Sequence, residues 1–180
     1  MRIINKIFFS FILIAIIFYS CNDEPKEVAK ANPRIFEGFH PLLDKIIITK
    51  KGVFRGLDLN CSADSVKKSE TDTPLENTPG HLFFEYKADS LTNYSIDYTF
   101  NNDSLEEINL QINSNDLELA SYLFCDLKDY YAAKLPNPTE DKGQVVYNCF
   151  QGQRRPFVVS LSDNSSPANG RINMVIYKDK

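Results

Sequence analysis

Hydrophobic and polar positions are arranged along this chain in three ways, and each predicts a different kind of element. Residues 7–19 barely alternate: thirteen positions, all apolar save Ser10, preceded by Arg2 and Lys6. As a helix the run covers about 20 Å, short of the roughly 30 Å of bilayer hydrocarbon. A cationic start, a short apolar core and a small residue at Ser20 predict an export signal over residues 1–20. Residues 21–34 are polar and charged, broken by Pro25 and Pro33. That stretch reads as a flexible tether.

Period two takes over in the remaining stretch, 35–180, which reads as a single domain. Residues 46–49 and 53–57, on either side of Lys50-Lys51-Gly52, predict an opening hairpin. Residues 82–87 form the next strand. After it, Tyr94, Ile96, Tyr98 and Phe100 alternate with Ser95, Asp97 and Thr99, the pattern of a sheet with one wet face. Asn101, Asn102 and Asp103 make a turn, and Ile108, Leu110 and Ile112 mark the strand that follows. A second set comprises residues 144–150, a strand marked by Phe157, Val159 and Leu161, and one marked by Ile172, Met174 and Ile176. Pro156 fits only at a strand start or on an edge.

Period 3.6 appears twice. Residues 62–69 form a short helix, with Ser62 as N-cap, Asp64 in the first turn, and Lys67 and Lys68 in the last. Residues 115–134 form a longer one. Asn115 and Glu118 stand at capping-box spacing, and Leu117, Ala120, Leu123, Phe124, Leu127 and Tyr131 line one face. Pro136 and Pro138 end it. The order is helix, three strands, helix, three strands. It predicts a two-layer α+β fold, an antiparallel sheet packed by helices in tandem helix-plus-three-strand meander units.

Charge narrows the partners. The whole chain carries a formal charge of −4; losing Arg2 and Lys6 with the leader leaves 18 basic against 24 acidic residues, or −6. Such a balance excludes nucleic acid, whose binders need a basic face, and offers no attraction to anionic lipid.

Ser20-Cys21 gives the membrane link another basis. The pair, placed behind the apolar run, resembles the lipobox of bacterial lipoproteins. The resemblance implies cleavage between Ser20 and Cys21, diacylation of Cys21, and a membrane partner reached through acyl chains. Phe18 and Tyr19 depart from the usual lipobox residues. Asn22-Asp23-Glu24 resembles the acidic tag that sends Bacteroidota lipoproteins to the outer face of the outer membrane; facing the periplasm is the alternative. Asp64-Ser65-Val66, Asp89-Ser90-Leu91 and Asp103-Ser104-Leu105 resemble the Asp-Ser-aliphatic acceptor of periplasmic O-glycosylation in the same bacteria. Residues 56–62 (Gly-Leu-Asp-Leu-Asn-Cys-Ser), the short helix with Val66 and the proline-containing loop behind it resemble the small lipoproteins of the barrel-assembly machinery. They also resemble the β-lactamase-inhibitor-protein fold, which implies a protein-binding module.

Candidate chemistry is sparse. Cys61, Cys125 and Cys149 allow one disulfide in an oxidising compartment, in three pairings, and none of the spacings is CxxC. Cys125 falls away from the long helix's apolar face. His40 and His81 have no metal-like neighbours in sequence, and no HExxH, GxSxG, P-loop or GxGxxG occurs. Glu106-Glu107 and Asp126/Asp129 read as solvated pairs. Hence no catalytic residue, metal or cofactor is expected. Tyr122 and Tyr130, flanking the helix's buried stripe, and Arg154 and Arg155 are the candidate partner-binding residues. The expected function is a lipid-anchored envelope protein that binds another envelope protein without catalysis. An inhibitor or immunity protein is the second reading, and an envelope hydrolase the third.

Overall fold

The computed structural model describes residues 36–135, 137–149 and 156–179. The export signal, the tether, Ser20, Cys21, Arg154 and Arg155 lie outside the described residues. Within them the protein is an eight-stranded antiparallel sheet with helices packed on it. Three helices occur there: α1 (Leu42–Ile47), α2 (Ala63–Ser69) and α3 (Leu117–Lys134). The strands are β1 (Glu76–Thr78), β2 (His81–Lys87), β3 (Thr92–Asn101), β4 (Ser104–Ser114), β5 (Thr139–Asp141), β6 (Gln144–Cys149), β7 (Phe157–Asp163) and β8 (Gly170–Lys178).

Their order across the sheet is β1-β2-β3-β4-β8-β7-β6-β5. Consecutive strands pair within each group of four, and the last strands of the two groups, β4 and β8, pair in the middle from Glu107↔Tyr177 to Ser114↔Gly170. Asn102 and Asp103, at φ 50° and 58°, make the two-residue turn between β3 and β4. That geometry matches the right-handed strand twist and suits Asn and Asp. Lys142 and Gly143 do the same between β5 and β6.

One core unites the helices and the sheet. Ile96, Tyr98, Leu110, Met174 and Ile176 from the strands are buried with Leu43 and Ile46 of α1, Val66 of α2, and Leu123 and Leu127 of α3. The alternate strand residues are half-buried or exposed. Helix α3 packs against β4, β6, β7 and β8. Its closest approach needs Gly170, where an added Cβ would lie 2.3 Å from the Ala120 Cβ.

Three expectations are overturned. The predicted opening hairpin is absent: residues 42–47 are helical and 52–57 form a tight loop with a lone bridge between Phe54 and Leu57. The run Ile46-Ile47-Ile48 favours a strand locally. Its tertiary use is helical, because Leu42, Leu43, Ile46 and Ile47 are buried together at helical spacing. Each strand group has four members, not three, since β1 and β5 are three-residue edge strands with every residue exposed. Finally, α3 starts one residue late. Asp116, not Asn115, is the N-cap, its carboxylate accepting the Leu119 N–H, and Leu117 is 43% exposed.

Candidate functional site

Two constellations of polar residues are built by the fold, one inside and one outside. The inner one begins with a problem of helix ends. Helix α1 is six residues long, so most of its carbonyls have no partner within the helix. Arg55, 2% exposed, supplies the donors. Its Nη1 donates to the carbonyls of Lys45 and Ile46 at 3.0 and 2.8 Å. Its Nε and Nη2 reach the two carboxylate oxygens of Glu70 at 3.0 and 2.8 Å. Glu70 is the residue that closes α2.

Three tyrosines complete the cluster. Tyr86 donates to Glu70 Oε2 at 2.6 Å, Tyr98 donates to Oε1, and Tyr94 donates to the Lys45 carbonyl at 3.0 Å. The Arg55 guanidinium lies 5.3 Å from the centre of the Tyr86 ring, which stacks on Tyr94. Burial, the largest single influence on Arg55, would lower its pKa, but the Glu70 charge and hydrogen bond together with Tyr98 and Tyr94 outweigh it and the net direction is up. Burial first, and then Glu70, hold the Tyr98 phenol well above its ordinary range. Every group here is turned inward and paired, so the cluster serves to dock α1 and α2 on β2 and β3.

The outer constellation lies on the strand faces that alternate with the core. His81 Nε2 stands 2.7 Å from Asp97 Oδ1, and its Nδ1 stands 3.3 Å from Glu76 Oε2. One imidazole thus spans β1, β2 and β3. The Asp97 oxygen, shut off from water, is otherwise without a partner. The two carboxylates occupy opposite ends of the ring, so they do not converge with it on a common metal position. No cluster that would hold a metal occurs among the described residues.

Of the candidate partner-binding residues, Tyr122 is 57% exposed on α3, its hydroxyl against Glu118 at 3.3 Å. Tyr130 is buried and not at the surface. It follows Leu123 and Leu127 at the i+7 and i+3 helical positions, and so extends the core stripe. There it meets Phe36 and Tyr131 edge-on, with Lys134 Nζ 4.6 Å from its ring centre. Burial pushes its phenol up to about 12.

All three described cysteines are free in this structure. Cys61 is half-buried before α2, Cys125 is exposed on α3, and Cys149 is buried at the end of β6. Burial raises the Cys61 and Cys149 thiols. Asp126 is not merely solvated: its Oδ2 accepts the His40 N–H at 2.6 Å. In the three Asp-Ser-aliphatic stretches, Val66 and Leu105 are buried, and only Ser90-Leu91 exposes both residues.

Neither Arg55 nor Glu70 stood out as a site residue in the sequence. Glu70 does carry a signal, because a carboxylate closing a helix opposes the macrodipole and calls for another reason to be there. Tyrosines in core register at 94 and 98 carry a second, since buried phenols need acceptors. Compared with known proteins, the chain matches no family model, no curated protein and no solved structure.

Proposed function

We propose that this is a lipid-anchored protein of a bacterial cell envelope that works by binding another envelope protein, through the sheet face opposite its helices. In this reading the molecule has two layers, made of two tandem units that each join a helix to a meander: α2 with β1–β4, and α3 with β5–β8. The observation that carries the binding role is a continuous row across six strands. Phe83, Asp97, Asn109, Val175, Ser160 and Val146 are neighbours in register. All six are half-buried, so the row is level. At about 4.8 Å per strand, five steps span about 24 Å. Apolar side chains interleaved with polar ones resemble the make-up of a non-obligate interface.

A photo-crosslinking residue placed at Ser160 in native membranes tests the face, with Ala132, exposed on α3, as its control. One discrete adduct from Ser160, lost in Phe83→Glu/Val175→Glu, is expected. Adducts from Ala132 alone would move the interface to the helices. The anchor has its own test. Cys21→Ala should release the protein from membranes, and continued membrane partitioning would refute acylation there.

An inhibitor or immunity protein is the second reading. It draws on Glu76, Glu85, Asp97 and Glu107, which share the outer strand faces with Tyr177, the in-register neighbour of Glu107. A cationic partner fits that chemistry, and co-purification of one tight, stoichiometric, basic protein would favour it. The hydrolase reading has only the His81 trio, and none of the grooves described among these residues includes His81 in its walls.

A further inference from the structure

At the end of the sheet where β2 turns into β3 lies an open groove of about 660 Å³, within the roughly 300–1,000 Å³ usual for small-ligand sites. Its walls are unusually rich in carboxamides. Asn93 and Asn113 face each other across the β3–β4 pair, Asn115 follows β4, and Asn169 comes from the loop before β8. Leu91, 49% exposed, adds an apolar patch.

The charged groups there leave little for a charged ligand. Asp89 is committed to the turn, its Oδ1 accepting the Leu91 and Thr92 N–H groups at 2.8 and 2.7 Å. Glu85 and Lys87 offset each other. By contrast, the side chains of Asn93, Asn115 and Asn169 have no hydrogen-bond partner among the described residues.

We propose that this groove binds a neutral saccharide of two or three rings. A carboxamide sets a donor beside an acceptor, and two adjacent sugar hydroxyls can answer both. Asn93 and Asn115 offer that pairing, the Asn113 amide adds a donor while its Oδ1 accepts from Gln111 Nε2 at 3.4 Å, and Leu91 meets the C–H face of a ring. An extended peptide is the poorer fit. It would add to an unpaired strand edge, whereas β3 and β4 are flanked by strands on both sides. The proposal does not rest on the protein-binding reading above, although Glu85, Asn93 and Asn113 share the outer sheet face with the Phe83–Asp97–Asn109 row.

Saturation-transfer NMR on the full chain tests this, in a detergent without a sugar head group. The probes are maltotriose, xylotriose, mannotriose and triacetylchitotriose, each in millimolar excess. Transfer to at least one is expected, with at least tenfold weaker binding in Asn93→Ala/Asn113→Ala and no change in the surface control Lys67→Ala, exposed on α2. Should the double variant fail to fold, Asn115→Ala, at an exposed position, reads the same site. Absence of transfer to all four probes would overturn the proposal. So would transfer that survives the groove variants, or equal binding of digalacturonate, which is anionic.

Discussion

The two halves of the sheet solve one problem, covering an apolar face with helix, by different means. Over β5–β8 lies α3, eighteen residues long, capped by Asp116 and dry beneath. Ala120, Leu123 and Leu127 meet Val159, Leu161 and Met174 there without a buried charge. Tyr147 does donate to the Lys128 carbonyl at 2.7 Å and Tyr131 to the Val53 carbonyl at 3.1 Å, but both are neutral bonds. Over β2 and β3 the cover is α1 and α2, of six and seven residues. Helices so short are mostly ends, and buried ends need partners. The Arg55–Glu70 pair with its three tyrosines is what that need produced. Long helices cover sheets with hydrocarbon, whereas short ones require polar joints.

Breaking the polar joint should have the largest effect. Glu70→Ala strands the Arg55 charge in the core, and removing one partner of a buried pair costs about 3–5 kcal/mol. Domains of this kind have about 5–15 kcal/mol in all, so urea unfolding should show a much lower midpoint. Glu70→Gln keeps the shape but not the charge, and should recover little of the loss.

The dry half should respond to volume instead. Leu127→Ala is expected to cost about 2–5 kcal/mol through its cavity, while Leu127→Met, which keeps the volume, should cost less than about 1.5 kcal/mol. If Glu70→Gln were as mild as Leu127→Met, the contrast between the halves would fail. Gly170→Ala comes next. It drives a methyl group into Ala120 and should cost about 1–3 kcal/mol by overpacking, visible as a lower thermal midpoint. Asp116→Ala removes the α3 cap and should cost about 1 kcal/mol.

The smallest effect is a pH dependence at the β2–β3 turn. The Leu91 and Thr92 N–H groups hold the Asp89 carboxyl below its ordinary range. A lowered pKa in the folded state stabilises at neutral pH, and that contribution is lost as pH falls through the carboxylate range. Asp89→Asn should therefore unfold slightly more easily than the parent at neutral pH, and the gap should close in acid.

Legibility followed burial. Tyr94, Ile96, Tyr98 and Phe100 announce β3 because every second residue enters the core, and α3 shows its stripe for the same reason. Strands β1 and β5 bury nothing, so Glu76-Asn77-Thr78 and Thr139-Glu140-Asp141 carry no alternation to read. Helix α1 reads as a strand in sequence because β-branched isoleucines favour strands locally, while its contacts with α3 and the Arg55 bond to the Ile46 carbonyl use them as a helix. Tyr130 itself shows how a single helical position separates an exposed ring from a buried one.

The chain's own pattern determined that there would be an antiparallel sheet, a long amphipathic helix, and tyrosines directed into the core. Only the tertiary structure decided that Arg55 would meet Glu70, that one imidazole would span Glu76 and Asp97, and that four asparagines would gather at one end of the sheet. The physical reason is range. Periodicity records which way a side chain faces along its own element, whereas a pairing between residues far apart in the chain exists only once folding has brought them to within a hydrogen bond.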